Sequence, residues 1–228
     1  IEWFKKTLEL NCYMVIYTEE KFAKLIPEST NRKVVVTKLK DVPYYKYKKR
    51  IESILENKDY RSKVKDPSRI ECNLALYNII QYSKFEWLKK TYQDLGSGPD
   101  YFWMDAGCSR FFGDVDLSKR WPANYSILSI CELNIQGNIN TAKFNNQPYS
   151  IYENNCILVG TLFSGIGPIV EGMADLVKAW FKHFLDQGIV NNEQILLGHL
   201  YKMMPELFNV YMELDGTHLP FFKALADG

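Results

Sequence analysis

Apolar residues along the chain fall into short unbroken runs, separated by longer stretches in which they recur every three or four positions. The first kind predicts buried strands and the second predicts helices with one face turned inward. Strands are expected over 12–18, 33–37, 101–104, 126–131, 155–162 and 208–214. Helical spacing predicts an opening helix that ends near Asn11, a short helix around 20–25, a long one over 71–95, and two more over 168–186 and 191–204. In the long helix Leu74, Tyr77, Gln81, Phe85 and Leu88 mark a stripe, widened by Leu76, Ile80 and Trp87. Pro168 suits a first helical turn, and Gly188 a helix end. Residues 134–150, rich in Asn and Gln, read as a loop or hairpin of the kind that often binds ligands.

This alternation of strands and helices predicts an α/β fold with a mainly parallel central sheet and helices on its faces. A chain of 228 residues suits one domain, 1–228, with the run 101–104 at the centre of the sheet. Parallel-sheet proteins usually open on a strand. An opening stretch with helical spacing therefore leads us to expect a preceding N-terminal strand.

Composition narrows the function classes. A net charge of +1 gives no argument for a nucleic-acid or membrane partner. The basic excess over 38–69, interleaved with Tyr44, Tyr45, Tyr47 and Tyr60, has two readings. It is a phosphate-attracting or nucleic-acid-binding patch, or a solvated helix with a mobile loop, and the second is preferred. The most apolar stretch, 156–170, is shorter than a membrane span and holds Ser164, Gly165, Gly167 and Pro168, so no transmembrane segment is expected. No signal peptide is visible, and the five cysteines show no metal-ligand spacing, which together point to reduced thiols and a cytoplasmic location.

The candidate chemistry begins at Asp105. It ends a buried strand and is followed by Ala106 and Gly107, which places a carboxylate at the mouth of the sheet, where ligands bind. The competing reading is a turn or helix cap. Lys84 interrupts the apolar surface of the long helix, either snorkelling along it or reaching Asp105 to meet a phosphate. Asn191, Asn192, Glu193 and Gln194 open a helix, where four polar side chains serve as caps or as ligand contacts. His218 falls in a loop after the last strand. The glycines at 165 and 167 invite a dinucleotide-binding reading, but Val170 stands where the fingerprint needs a third glycine.

Three segments together resemble the HtrL/YibB family: Trp103-Met104-Asp105-Ala106-Gly107-Cys108-Ser109-Arg110-Phe111-Phe112, Ser83-Lys84-Phe85, and Asn191-Asn192-Glu193-Gln194. The similarity runs over most of the chain, and that family is regarded as similar to GT-A glycosyltransferases. The resemblance implies a single GT-A-like α/β/α sandwich of the nucleotide-diphospho-sugar transferase kind. It also implies a nucleotide-sugar donor, a glycan or other acceptor, and a divalent metal, Mn²⁺ or Mg²⁺. A more distant likeness is to retaining GT-A enzymes, which carry Asp-x-Asp after a buried strand, a polar Asp-Gln helix start and a late metal-binding His. On that comparison Asp105 and His218 hold the metal, and Gly107 replaces the second acid. Lys84, Asp105, Ala106, Gly107 and Arg110 then line the nucleotide-sugar site, while Asn191, Asn192, Glu193 and Gln194 position the sugar for catalysis. Lys84→Ala or Arg110→Ala is expected to weaken nucleotide binding at little cost in stability. Two other expectations stand beside this one: a degenerate fold that binds a nucleotide or sugar without turnover, and an interaction protein in which Asp105 is dispensable.

Overall fold

The computed structural model describes residues 2–96, 98, 100–138, 140–144, 146–212 and 220–227. The chain opens with helix α1 (Glu2–Thr7), then strand β1 (Met14–Thr18), helix α2 (Glu20–Ala23) and strand β2 (Arg32–Val36). Helices α3 (Lys48–Glu56) and α4 (Lys58–Lys63) precede the long α5 (Ala75–Leu95) and strand β3 (Tyr101–Met104). Strand β4 (Leu133–Gly137), the short α6 (Asn140–Lys143), strand β5 (Leu158–Gly165) and helix α7 (Gly167–Asp186) follow. Helix α8 (Glu193–Met203), strand β6 (Phe208–Tyr211) and helix α9 (Pro220–Ala226) complete the order.

The α/β class holds, but the sheet is not mainly parallel. Among the described residues β1 and β2 form a parallel pair, while β3, β5, β4 and β6 lie side by side in that order. In this larger sheet β5 runs antiparallel to both β3 and β4, and only β4 and β6 are parallel. The expected central strand Tyr101–Met104 is an edge of this sheet, and β4 and β5 take the middle. Sequence cannot show this directly, because a buried antiparallel strand reads as the same apolar run as a parallel one.

Strand β4 overlaps the start of the stretch expected to be a polar loop, 134–150. All five of its residues are buried, although Asn134 and Gln136 alternate with Leu133 and Ile135. Their amides are satisfied: Asn134 Nδ2 donates to Ser129 O at 2.9 Å, and Gln136 Oε1 accepts from Phe221 N at 3.0 Å. The expected strand over 126–131 is instead a set of turns. Asn124 Oδ1 receives Ser126 N, and Asn134 Oδ1 receives Ser129 N. The turns leave Cys131 exposed, while Cys72 and Cys108 are buried; all five thiols are free.

Side-chain alternation along the strands divides the core into two. On one face Tyr101, Trp103, Ile135 and Phe163 pack with α3, α5, α7 and α8. On the other, Phe102, Met104 and Leu162 meet Phe112, Trp121 and the α9 residues Phe221, Phe222 and Leu225. Phe222 lies flat on Phe112, with centroids 3.8 Å apart. The basic segment is largely exposed on its outer side, as both of its readings require. Its tyrosines turn inward: Tyr44 and Tyr60 are buried, and the Tyr60 hydroxyl donates to Val190 O.

The buried face of α5 is offset from the expected stripe. It centres on Asn78, Ile79, Tyr82 and Phe85, and Leu74 is exposed. Ser83 and Lys84 are on the inside with them. A polar residue can stand there only if the fold supplies partners, and for Lys84 those partners make the site.

Candidate functional site

Lys84 is 2 % exposed, so its ammonium has left water and must be compensated by protein oxygens. Its Nζ donates to Glu193 Oε1 at 2.9 Å and to Gly160 O at 3.1 Å. It stands 3.1 Å from Asp105 Oδ1 and 3.3 Å from Oδ2. The three ammonium protons thus reach three elements, the start of α8, the interior of β5 and the end of β3. Lys84 does not snorkel; it reaches Asp105, and with its donors engaged it is a fixed internal cation. Burial works against its charge, yet Glu193 and Asp105 outweigh that and hold its pKa up at about 12.

Glu193 is fully buried, and burial pushes its carboxyl pKa upward against the pull of Lys84. Its Oε2 has no hydrogen-bond partner among the described residues. Asp105 differs in that its side chain is 34 % exposed, which makes it the one carboxylate of the trio that opens outward. Trp103 Nε1 donates to Asp105 Oδ1 at 2.7 Å, so the carboxylate is fixed from two directions. Asp105 N donates to Thr161 O at 2.9 Å, extending the β3–β5 pairing by one residue.

Asn191, Asn192, Glu193 and Gln194 come to the same corner but use their side chains differently. Asn192 Oδ1 caps α8 by accepting from Ile195 N at 3.0 Å, and its Nδ2 donates to the buried Glu71 Oε1 at 2.9 Å. Arg69 Nε also lies 2.9 Å from Glu71 Oε1. Asn191 Nδ2 donates to Ile151 O and Glu153 O, at 2.9 and 3.0 Å, and Tyr82 OH donates to Asn191 O at 2.9 Å. Gln194 Oε1 accepts from Gly160 N at 3.2 Å. Both asparagines therefore spend their amides on internal structure, Glu193 joins Lys84, and Gln194 holds the β5 main chain at Gly160.

The remaining candidates are spread along the rim. Ala106 is exposed and its carbonyl accepts from Thr7 Oγ1 at 3.1 Å. Gly107 has φ −93°, which any residue adopts, and a Cβ there would point into open space. Arg110 is exposed, stands over the Phe111 ring at 4.5 Å and forms no ion pair among the described residues. The structure does not bring it to Asp105. His218 lies outside the described residues.

Two residues of the site escaped the sequence reading. Trp103 looked like strand filler, although its alternation with Phe102 and Met104 puts it on the Lys84 side. Gly160 carried a usable signal, because an isolated glycine inside a strand often marks a close approach. A Cβ at Gly160 would stand 2.4 Å from Glu193 Oε1 and 3.2 Å from Gln194 Cγ. Gly160→Ala is therefore expected to cost about 1–3 kcal/mol by overpacking the ion cluster. Urea denaturation checks this, and an unchanged midpoint would show that α8 shifts freely.

Among the described residues no three His, Cys, Asp or Glu side chains converge as a metal site. Among the described residues the cluster offers a metal one outward carboxylate, Asp105. That donor set fits Mg²⁺ or Mn²⁺ arriving with a diphosphate, since Mg²⁺ is commonly held by one or two carboxylates, substrate phosphates and water.

Fold and site together define an α/β protein with a mixed sheet, whose buried lysine–dicarboxylate cluster opens outward through a single aspartate. The chain belongs to the HtrL_YibB family: the family profile described as "Bacterial protein of unknown function (HtrL_YibB)" matches residues 1–226. No curated protein and no solved structure matches the chain. Among the described residues no helix is long and apolar enough to cross a membrane.

Proposed function

We propose that the protein is a glycosyltransferase with a GT-A-like site. It moves a sugar from a nucleotide-sugar donor to a glycan or other acceptor in the cytoplasm, with a divalent cation bound through Asp105. The observation that supports this most is the state of Asp105, an ionisable side chain at the end of a strand, fixed by Trp103 and Lys84 and still one-third exposed. An orienting hydrogen bond behind an outward carboxylate is what a metal- or ligand-contacting acid requires.

When bound, the cation would neutralise the leaving diphosphate. The chain's own residues do the rest. Lys84 and Trp103 orient Asp105, Gln194 meets sugar hydroxyls, and Arg110 on the rim is free to turn toward phosphate oxygens. Asn191 and Asn192 contribute by fixing the start of α8, which keeps Glu193 and Gln194 in place.

The test is a thermal-shift and calorimetric screen of nucleoside diphosphate sugars, with Mn²⁺ and with EDTA. Bound donor raises the unfolding midpoint, by about 2.7 kcal/mol of added stability at a hundred-fold excess over Kd. No shift with any nucleotide sugar would end this reading. A donor that binds but is never turned over with any acceptor would favour the second reading, binding without catalysis. One observation favours that second reading: glycine stands at position 107, where the GT-A comparison expects a second acid. Gly107→Asp, with its side chain in open space, is expected to fold normally and to tighten Mn²⁺-dependent donor binding about ten-fold. Calorimetry of the variant reads this directly, and unchanged affinity would take position 107 out of the site.

A further inference from the structure

Strand β2 carries an open edge. Met14 N donates to Asn31 O and Thr37 N to Thr18 O, which fixes the phase of the parallel ladder between β1 and β2. In that phase residues 33, 35 and 37 turn their main-chain groups toward β1, and the N–H and C=O of Val34 and Val36 turn away from it. Among the described residues β2 pairs with β1 alone, and no main-chain partner meets these outward groups. The side chains of Val34 and Val36 are exposed as well. An edge of this kind is a template for one more strand.

A cleft of about 570 Å³ lies between β2 and α5, and Val36 belongs to both the edge and the cleft. Tyr17 and Val35 are register partners, so their side chains leave the sheet on the same side. There Tyr17 stacks on Trp87 of α5 at 5.4 Å, and Tyr17, Val35, Pro43 and Trp87 make the apolar part of the cleft wall. The polar wall on α5 is already paired: Glu86 with Lys178 at 3.0 Å, Lys89 with Asp175 at 2.8 Å, and Lys90 with Asp94 at 3.1 Å. Lys38 in the wall, with Lys33 and Lys40 near it in sequence, is exposed, and none of the three has an ion-pair partner among the described residues. Asp41 is the only lining acid left unpaired among them. Three uncompensated ammonium groups thus stand against one carboxylate.

We propose that β2 and this cleft bind an extended, acidic peptide segment of a partner protein, added to the sheet as a strand. Val34 and Val36 supply the main-chain hydrogen bonds, which give affinity whatever the peptide sequence. The peptide residue opposite Val35 turns to the same side as Val35 and Tyr17, so a large apolar or aromatic side chain there enters the cleft. Carboxylates flanking that residue meet Lys38 and the lysines near it. Charge favours such a segment over a second copy of this chain, whose own β2 would bring Lys33 and Lys38 toward lysines of the same kind. The inference does not rest on the glycosyltransferase reading.

The test is selection from a displayed library of random peptides about ten residues long, enough for one strand, with affinities then read by fluorescence anisotropy. Enriched peptides are expected to carry an apolar or aromatic residue flanked by Asp or Glu. Val36→Pro removes an outward N–H and leaves the bonds to β1 intact, a change that an edge strand tolerates. It should weaken peptide binding at least about ten-fold at an unchanged melting temperature. Lys38→Glu should weaken it by about as much, and less so as salt is raised. No enrichment overturns the proposal, and so do enriched peptides that are basic or uncharged, or that Val36→Pro binds as tightly as the parent. A dimer that Val36→Pro dissociates also overturns it, since a second copy then covers the edge. If Val36→Pro lowers the melting temperature, methylation of the peptide's own amide nitrogens replaces it. Lost binding then upholds the strand pairing, and retained binding overturns it.

Discussion

Lys84→Ala is expected to lower the free energy of unfolding by about 3–5 kcal/mol, because it leaves a buried carboxylate without its counter-ion. Glu193 has no exposure to water, and Lys84 is its ion-pair partner. Gly160 O would lose its donor from Lys84 in the same step. The variant should therefore unfold early whether or not nucleotide is present. This corrects the expectation from sequence that Lys84 could be removed at little cost in stability. Chemical denaturation at neutral pH measures the loss, and a change below about 1 kcal/mol would mean that water enters and rehydrates Glu193. Lys84→Met combined with Glu193→Leu should recover most of the stability, since apolar groups of similar volume often replace a buried pair without loss. The pH dependence has a definite sign. The folded-state pKa of Lys84 is raised from 10.5 to about 12, so its contribution is fully present below 10.5 and fades as pH rises through 12. An alkaline loss of stability over that window should be present in the parent and absent from the double variant.

Asp105→Asn is expected to abolish metal-dependent donor binding while costing only about 1 kcal/mol of stability, near the value of one ordinary hydrogen bond. Trp103 Nε1 and Lys84 Nζ both approach Oδ1, which an asparagine carbonyl can supply. The asparagine nitrogen then takes the place of Oδ2. It offers a donor where a hard cation needs an anionic oxygen. The remaining pair, Lys84 with Glu193, stays charge-balanced inside. Titration of a nucleotide sugar with Mn²⁺ into both proteins decides the matter. Equal affinities would take Asp105 out of the site and remove the main support for an enzyme.

Much of the site was legible in the sequence because its key residues break a local rule. Lys84 is a charge on an apolar helix face, and Asp105 ends an apolar run abruptly; the structure places the two within ion-pair distance. Glu193 was visible as part of a polar helix start, but nothing local distinguishes a carboxylate that faces water from one that turns inward to a lysine 109 residues away. The same limit hid β4. Asn134 and Gln136 look like loop residues until Ser129 and Phe221 are seen to satisfy them. Strand direction was illegible for a different reason: apolar runs report burial, and pairing partners are fixed by contacts far along the chain.

A single ammonium ties α5, β3, β5 and the start of α8 together, so these four segments are thermodynamically linked at one point. Substitutions at Lys84, Gly160 and Glu193 should therefore fail to add. Once one has broken the cluster, a second has little left to remove, and double-mutant cycles should show coupling of about 0.5–3 kcal/mol. A mutational scan of this protein would then register the cluster as one unit, inherited or lost together, although its members are scattered from residue 84 to residue 193.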